Sequence, residues 1–141
     1  MGWDDSHLHD FEIGGSHYVP RTPYGGEELD GEDEAAVTLS SVFSEKARFT
    51  YTYDYGDTWE HQLVLEKSLK PEKTLAHPAC LEGEHACPPE DCGSVWGFAD
   101  FLQAISDREH PDHKEMLEWG GKFDPEKFDL KGFNRTFKRW R

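Results

Sequence analysis

The sequence predicts an α+β fold in which an antiparallel, aromatic-rich sheet built from two hairpins packs against C-terminal helices. Three observations carry that expectation. Between Arg48 and Leu65 apolar side chains alternate with polar ones, the period of half-buried strands. A Gly14-Gly15 pair joins two shorter alternating runs, 7–13 and 16–19, as a hairpin turn does. From Val95 the period lengthens, with Phe98, Phe101, Leu102 and Ile105 at i, i+3, i+4 and i+7, one apolar stripe of a helix.

The chain's 141 residues suit a single domain, 1–141, with a real core. Hydrophobic content is only 35%, but nine Phe, five Trp and five Tyr supply bulky apolar area. The net charge of −14 repels phosphate backbones, so no direct nucleic-acid binding is expected of the body of the protein. Charge is unevenly spread: the last eleven residues hold Lys131, Arg135, Lys138, Arg139 and Arg141 and no acid, and removing these five positive charges leaves −19 on the remainder. Such a tail binds an acidic partner or folds back on its own domain; the second is the simpler expectation. No run of about 18 apolar residues and no charged-then-apolar leader is present, which points away from membranes and to the cytoplasm. Three cysteines, an odd number, argue against a disulfide scaffold and leave thiols or a metal site.

Taken in order, His7 to Ile13 reads as a strand with Phe11 and Ile13 on one face, and Ser16 to Val19 as its partner. His7 and His9 fall on one face at a spacing that can chelate a metal, a weak signal from two residues. Residues 20–35 carry the run Glu27-Glu28-Leu29-Asp30-Gly31-Glu32-Asp33-Glu34 and read as a solvated acidic loop; its carboxylates lack the ordered ligand spacing of an EF-hand. Val37 to Phe43 suits one or two helical turns.

The central hairpin follows. Phe49, Tyr51, Tyr53 and Tyr55 share one face, and Trp59, His61, Leu63 and Leu65 share one face of the returning arm. The two faces coincide only if paired positions sum to an even number. That excludes a two-residue turn. A three-residue loop at Tyr55-Gly56-Asp57, with Gly56 at positive φ, pairs Tyr53 with Trp59, Tyr51 with His61 and Phe49 with Leu63. His61 then points into an aromatic layer, as a satisfied core histidine or as a metal ligand or general base. Asp54 and Asp57 flank the turn, where Asp bonds local backbone or serves as an acid or base.

Residues 70–94 form a Cys/Pro-rich loop with Cys80, Cys87 and Cys92 spaced C-x6-C-x4-C. Tetrahedral zinc sites need close ligand pairs, and only Cys87 and Cys92 come near that spacing. A zinc ion on the three thiols would take His61, His77 or His85 as fourth ligand; the alternative is buried thiols that hold the loop down. Beyond the helix that starts at Val95, His110-Pro111 and Asp124-Pro125 each read as a helix start, with Met116, Leu117 and Trp119 inward on the first of these and Gly120-Gly121 ending it. Phe128, Leu130, Phe133 and Phe137 extend the apolar face.

Several stretches together resemble one family. Gly2-Trp3 with His7-Leu8-His9 and Phe11, then YTYDYGDTWEHQLVLEK (51–67), Cys80 with ACPPEDCGSVWGFADFL (86–102), HPDH (110–113) and FDPEKFDL (123–130) resemble the plasmid pRiA4b ORF-3-like family, found on plasmids and mobile elements. The resemblance spans nearly the whole chain. It implies a compact α+β fold and little about chemistry; the resolvase-like label given to some relatives finds no basic cluster here to hold a scissile phosphate. Relatives carry a further strand and helix before the Gly-Trp pair, so the resemblance implies a sheet short of an edge strand, with Trp3 and Phe11 unusually exposed and a homodimer through the uncovered edge as one way of covering them. The function expected first is a non-catalytic accessory module that binds a protein partner; the alternative is a metal-dependent or acid/base enzyme using Asp54, Asp57 and His61.

Overall fold

The computed structural model describes residues 2–21, 29–43, 46–70 and 77–139. The chain separates into two compact units: residues Asp5–Lys70 form one, and Met1–Asp4 with Pro71–Arg141 form the other. Among the described residues no helix is long and apolar enough to cross a membrane.

The first unit is a five-stranded sheet: β1 (His9–Ile13), β2 (Ser16–Val19), β3 (Glu32–Asp33), β4 (Arg48–Tyr53) and β5 (Trp59–Val64), in the order β3-β2-β1-β4-β5. Two hairpins build it, as alternation predicts. β1 and β2 turn at Gly14 and Gly15, both at positive φ (62° and 87°), the conformation a two-residue hairpin turn demands and glycine adopts without penalty. β4 and β5 pair in the expected register, Tyr53 with Trp59, Tyr51 with His61 and Phe49 with Leu63. β1 lies antiparallel to β4, so the rows His9-Tyr53-Trp59, Phe11-Tyr51-His61 and Ile13-Phe49-Leu63 cross three strands on one face.

The sheet is mixed, not purely antiparallel. Glu32 and Asp33, within the stretch read as an acidic loop, run parallel to Tyr18 and Val19, the last two residues of β2. A two-residue strand leaves no alternation to detect. Gly31 makes the approach possible, since a Cβ there would stand 3.0 Å from a Val19 methyl. Residues 22–28 of the acidic stretch lie outside the described residues. A 3-10 turn at Glu34–Ala36, capped by Asp33, leads to α1 (Leu39–Val42), which opens on a Thr38/Ser41 capping box; the Phe43 ring then lies tilted against Phe49 at 4.5 Å.

The second unit holds α2 (Ser94–Ser106), α3 (His113–Gly120) and α4 (Leu130–Thr136), the last running into a 3-10 turn at Phe137–Arg139. Phe101 and Ala104 of α2 are its most buried side chains, with Trp119 and Phe123 set edge-on to the Phe101 ring at 5.4 and 5.3 Å. Gly120 lets α3 close on that ring, because a Cβ there would lie 2.5 Å from Phe101 Cζ. Two helix starts differ from the reading at Pro111 and Pro125. Both prolines sit in single turns, and the helices begin later, after Asp112 and Asp129; the Asp129 side chain accepts the Gly132 N–H at 2.9 Å. Leu117 and Trp119, expected inward, are 43% and 47% exposed. His113, Met116 and Gly120 are the more covered positions of this short helix, while Trp119 keeps one edge against Phe101 and leaves the rest of its ring in water.

Candidate functional site

The β4–β5 hairpin turns through Asp54–Thr58, and the positive φ expected at Gly56 falls instead on Asp54 (58°) and Thr58 (54°). Asp54 tolerates it because its own carboxylate supports the turn: Oδ1 accepts the Gly56 N–H at 2.9 Å, the Asp54 carbonyl accepts the Thr58 N–H at 2.5 Å, and the Asp54 N–H donates to the Leu8 carbonyl at 2.8 Å. Asp54 is the buried charged residue among the described residues of the sheet unit, 6% exposed, with His7 Nδ1 3.8 Å from Oδ1.

His61 Nδ1 bonds the Tyr51 carbonyl at 3.1 Å across the strand pair, and its ring lies 5.5 Å from that of Tyr51. Asp57 is half-buried at the far end of the turn. The ligand atoms of Asp54, Asp57 and His61 do not all lie within 4.8 Å of one another, the spacing a shared metal ion would need.

Histidine and carboxylate pair elsewhere on the same sheet. His9 sets Nε2 at 3.2 and 3.4 Å from the Glu34 oxygens and Nδ1 at 3.5 Å from Asp5, with its ring against Tyr51 at 5.8 Å. His7 stands edge-on to Tyr53, so the expected His7/His9 chelating pair is split between different carboxylates. His17 lies 3.5 Å from Asp10. Partial burial, then the charge and hydrogen bond of Asp10, push the Tyr55 hydroxyl up to about 12. Asp5 and Glu34 escaped the sequence reading, because Glu34 reaches His9 only through the pairing of β3; the i, i+4 spacing of Asp5 and His9 was the one local cue.

In the other unit the three cysteines do different things. Cys80 is held by Asn134, which accepts the Cys80 N–H and donates to its carbonyl, both at 2.8 Å. Cys87 lies against Gly2, where a Cβ would come within 2.7 Å of the Cys87 Cβ, and burial pushes its thiol up to about 11. Cys92 is half-buried. Among the described residues no group of three ligand atoms includes any of the three sulfurs. Beside Cys87, Trp3 donates its indole N–H to the Pro88 carbonyl at 2.9 Å, and the Asp4 N–H donates to Glu90 at 3.0 Å. Trp3, expected to stand open, is therefore half-buried and pinned.

The segments that carry this geometry, the Gly-Trp start with its histidines, the aromatic hairpin and the cysteine loop leading into α2, are those a single family description covers. A family model described as "Plasmid pRiA4b ORF-3-like protein" matches residues 1–132. The chain belongs to the plasmid pRiA4b ORF-3-like family. Within the pRiA4b ORF-3-like proteins it is similar to the uncharacterized protein y4hQ of Sinorhizobium fredii (strain NBRC 101917 / NGR234), 37% identical over 126 residues. That match takes in 88% of this chain and 63% of y4hQ, so the chain spans less than two thirds of that relative. Its fold is similar to the crystal structure of a protein of unknown function, MM3350 from Methanosarcina mazei Go1, with a TM-score of 0.79 and 35% identity over 92% of this chain and 74% of MM3350.

Proposed function

We propose that this pRiA4b ORF-3-like chain is a binding module that performs no chemistry of its own and recognises a protein partner through the start of α2. One observation carries the reading: Trp96 is 80% exposed on the first turn of that helix, beside Val95 at 55%. An open tryptophan is costly in water and is the side chain most often found at the energetic centre of protein interfaces. Ala99, Asp100 and Gln103 share its exposed face at i+3, i+4 and i+7, and Glu90 and Asp91 precede the helix, so the partner it suits has an apolar pocket with a basic rim. The acid/base alternative draws on Asp54, whose Oδ1 bonds the turn, and His61, whose Nδ1 bonds the neighbouring strand.

The test is affinity purification of the tagged chain from its native cells, in parallel with Trp96→Ser. The expected outcome is a defined partner recovered with the wild type, released by salt and lost with the variant at unchanged circular dichroism. Equal recovery by both chains removes Trp96 as the contact and with it this proposal.

A further inference from the structure

The geometry points to a second recognition element, separate from Trp96: the outer edge of β5 takes up an extended segment of a partner protein in which apolar and basic residues alternate, adding it to the sheet as a strand. Main-chain bonding fixes which groups are on offer. The Asp54 N–H donates to Leu8, so the even-numbered residues of β4 bond β1; the Leu65 N–H donates to Ala47 at 2.9 Å, so the odd-numbered residues of β4 and β5 bond each other. Glu60, Gln62 and Val64 therefore turn their N–H and C=O groups outward, and all three are exposed. Among the described residues no strand lies beyond β5.

This edge has little to protect it. It is six residues long, contains no proline or lysine and pairs with β4 in unbroken register from Trp59 to Val64; the bulge at Lys46 and Ala47, which both bond Leu65, lies beyond its end. Its chemistry specifies the occupant. Trp59, His61 and Leu63 line one face and call for apolar neighbours on an added strand. From Gly56 to Glu66 the chain holds Asp57, Glu60 and Glu66 and no Lys or Arg, so the alternate positions of that strand suit Lys or Arg. A second copy of this chain would bring no Lys or Arg on this strand to pair with Glu60.

The probe is a ten-residue peptide alternating Val and Lys, labelled for fluorescence anisotropy, with three controls: its Val/Glu counterpart, the same Val/Lys peptide N-methylated at every second residue, and the variant Gln62→Pro. Proline at 62 removes an outward N–H and leaves the β4–β5 ladder intact. Binding of the Val/Lys peptide is expected, weakened at least tenfold by N-methylation and by Gln62→Pro, and absent for the Val/Glu peptide. Equal affinity for the N-methylated peptide would reduce the binding to charge alone and overturn the proposal. Equal binding of the Val/Glu peptide, or a free protein that sediments as a dimer dissociated by Gln62→Pro, overturns it as well. Trp96→Ser is expected to bind the peptide like the wild type, so this edge and the α2 surface succeed or fail separately.

Discussion

The sheet unit and the helical unit reach order by different means. In residues 5–70 a repeating rule does most of the work: alternate side chains share a face, and three cross-strand rows of aromatic and aliphatic residues follow from register alone. In the helical unit few contacts repeat, and single residues take the load, such as Asn134 clamping Cys80 or Gly120 admitting the Phe101 ring. A region stabilised by a repeated pattern spreads its stability over many similar contacts; one stabilised by individual clamps concentrates it.

Tyr53→Ala tests the first half of that contrast and carries the largest expected effect. Tyr53 is 2% exposed, and truncation of a fully buried aromatic costs about 4 kcal/mol. Urea denaturation followed by fluorescence, with amide exchange read over 48–64, should show that loss in the sheet unit. A cost below about 1 kcal/mol would mean that the aromatic rows are not what holds the strands. Asn134→Ala sharpens the second half. It removes two bonds to one peptide segment and is expected to cost about 2 kcal/mol, with exchange protection lost around 80–86 and 130–136. An Asn134→Asp variant keeps one acceptor and should fall between. The smallest effect lies at Tyr55. Its folded value of about 12 exceeds the ordinary 10, so the folded state holds the proton more tightly than the unfolded one. The contribution is complete below pH 10 and is lost as pH rises through 12, so absorbance titration should find one tyrosine ionising late and moving earlier in Asp10→Asn.

The same contrast explains what the sequence could disclose. The hairpin register was legible because an even pairing sum is forced once two apolar faces must coincide, whatever the turn does in detail. The turn itself was misread at Gly56, since permissiveness of a glycine does not oblige it to take positive φ; Asp54 takes it because its carboxylate can brace the turn from within. Pro111 and Pro125 signalled turns correctly and helix starts incorrectly, because a proline fixes one dihedral angle and cannot say whether the turn it opens will propagate. Of the candidate site, the residue types were visible and their partners were not. Glu34 meets His9 by way of a two-residue parallel strand, and two residues carry no period. The family could be read from contiguous motifs, which depend on none of these long-range meetings.

The glycine pair between β1 and β2 has a practical use. A Cβ placed on either Gly14 or Gly15 would meet nothing within 4 Å, so the tip has room and only the backbone conformation limits what replaces it. Asn at 14 accepts that conformation, and a short tag or fluorophore-bearing insert grafted there would report on the protein from outside, remote in sequence from both Trp96 and the β5 strand.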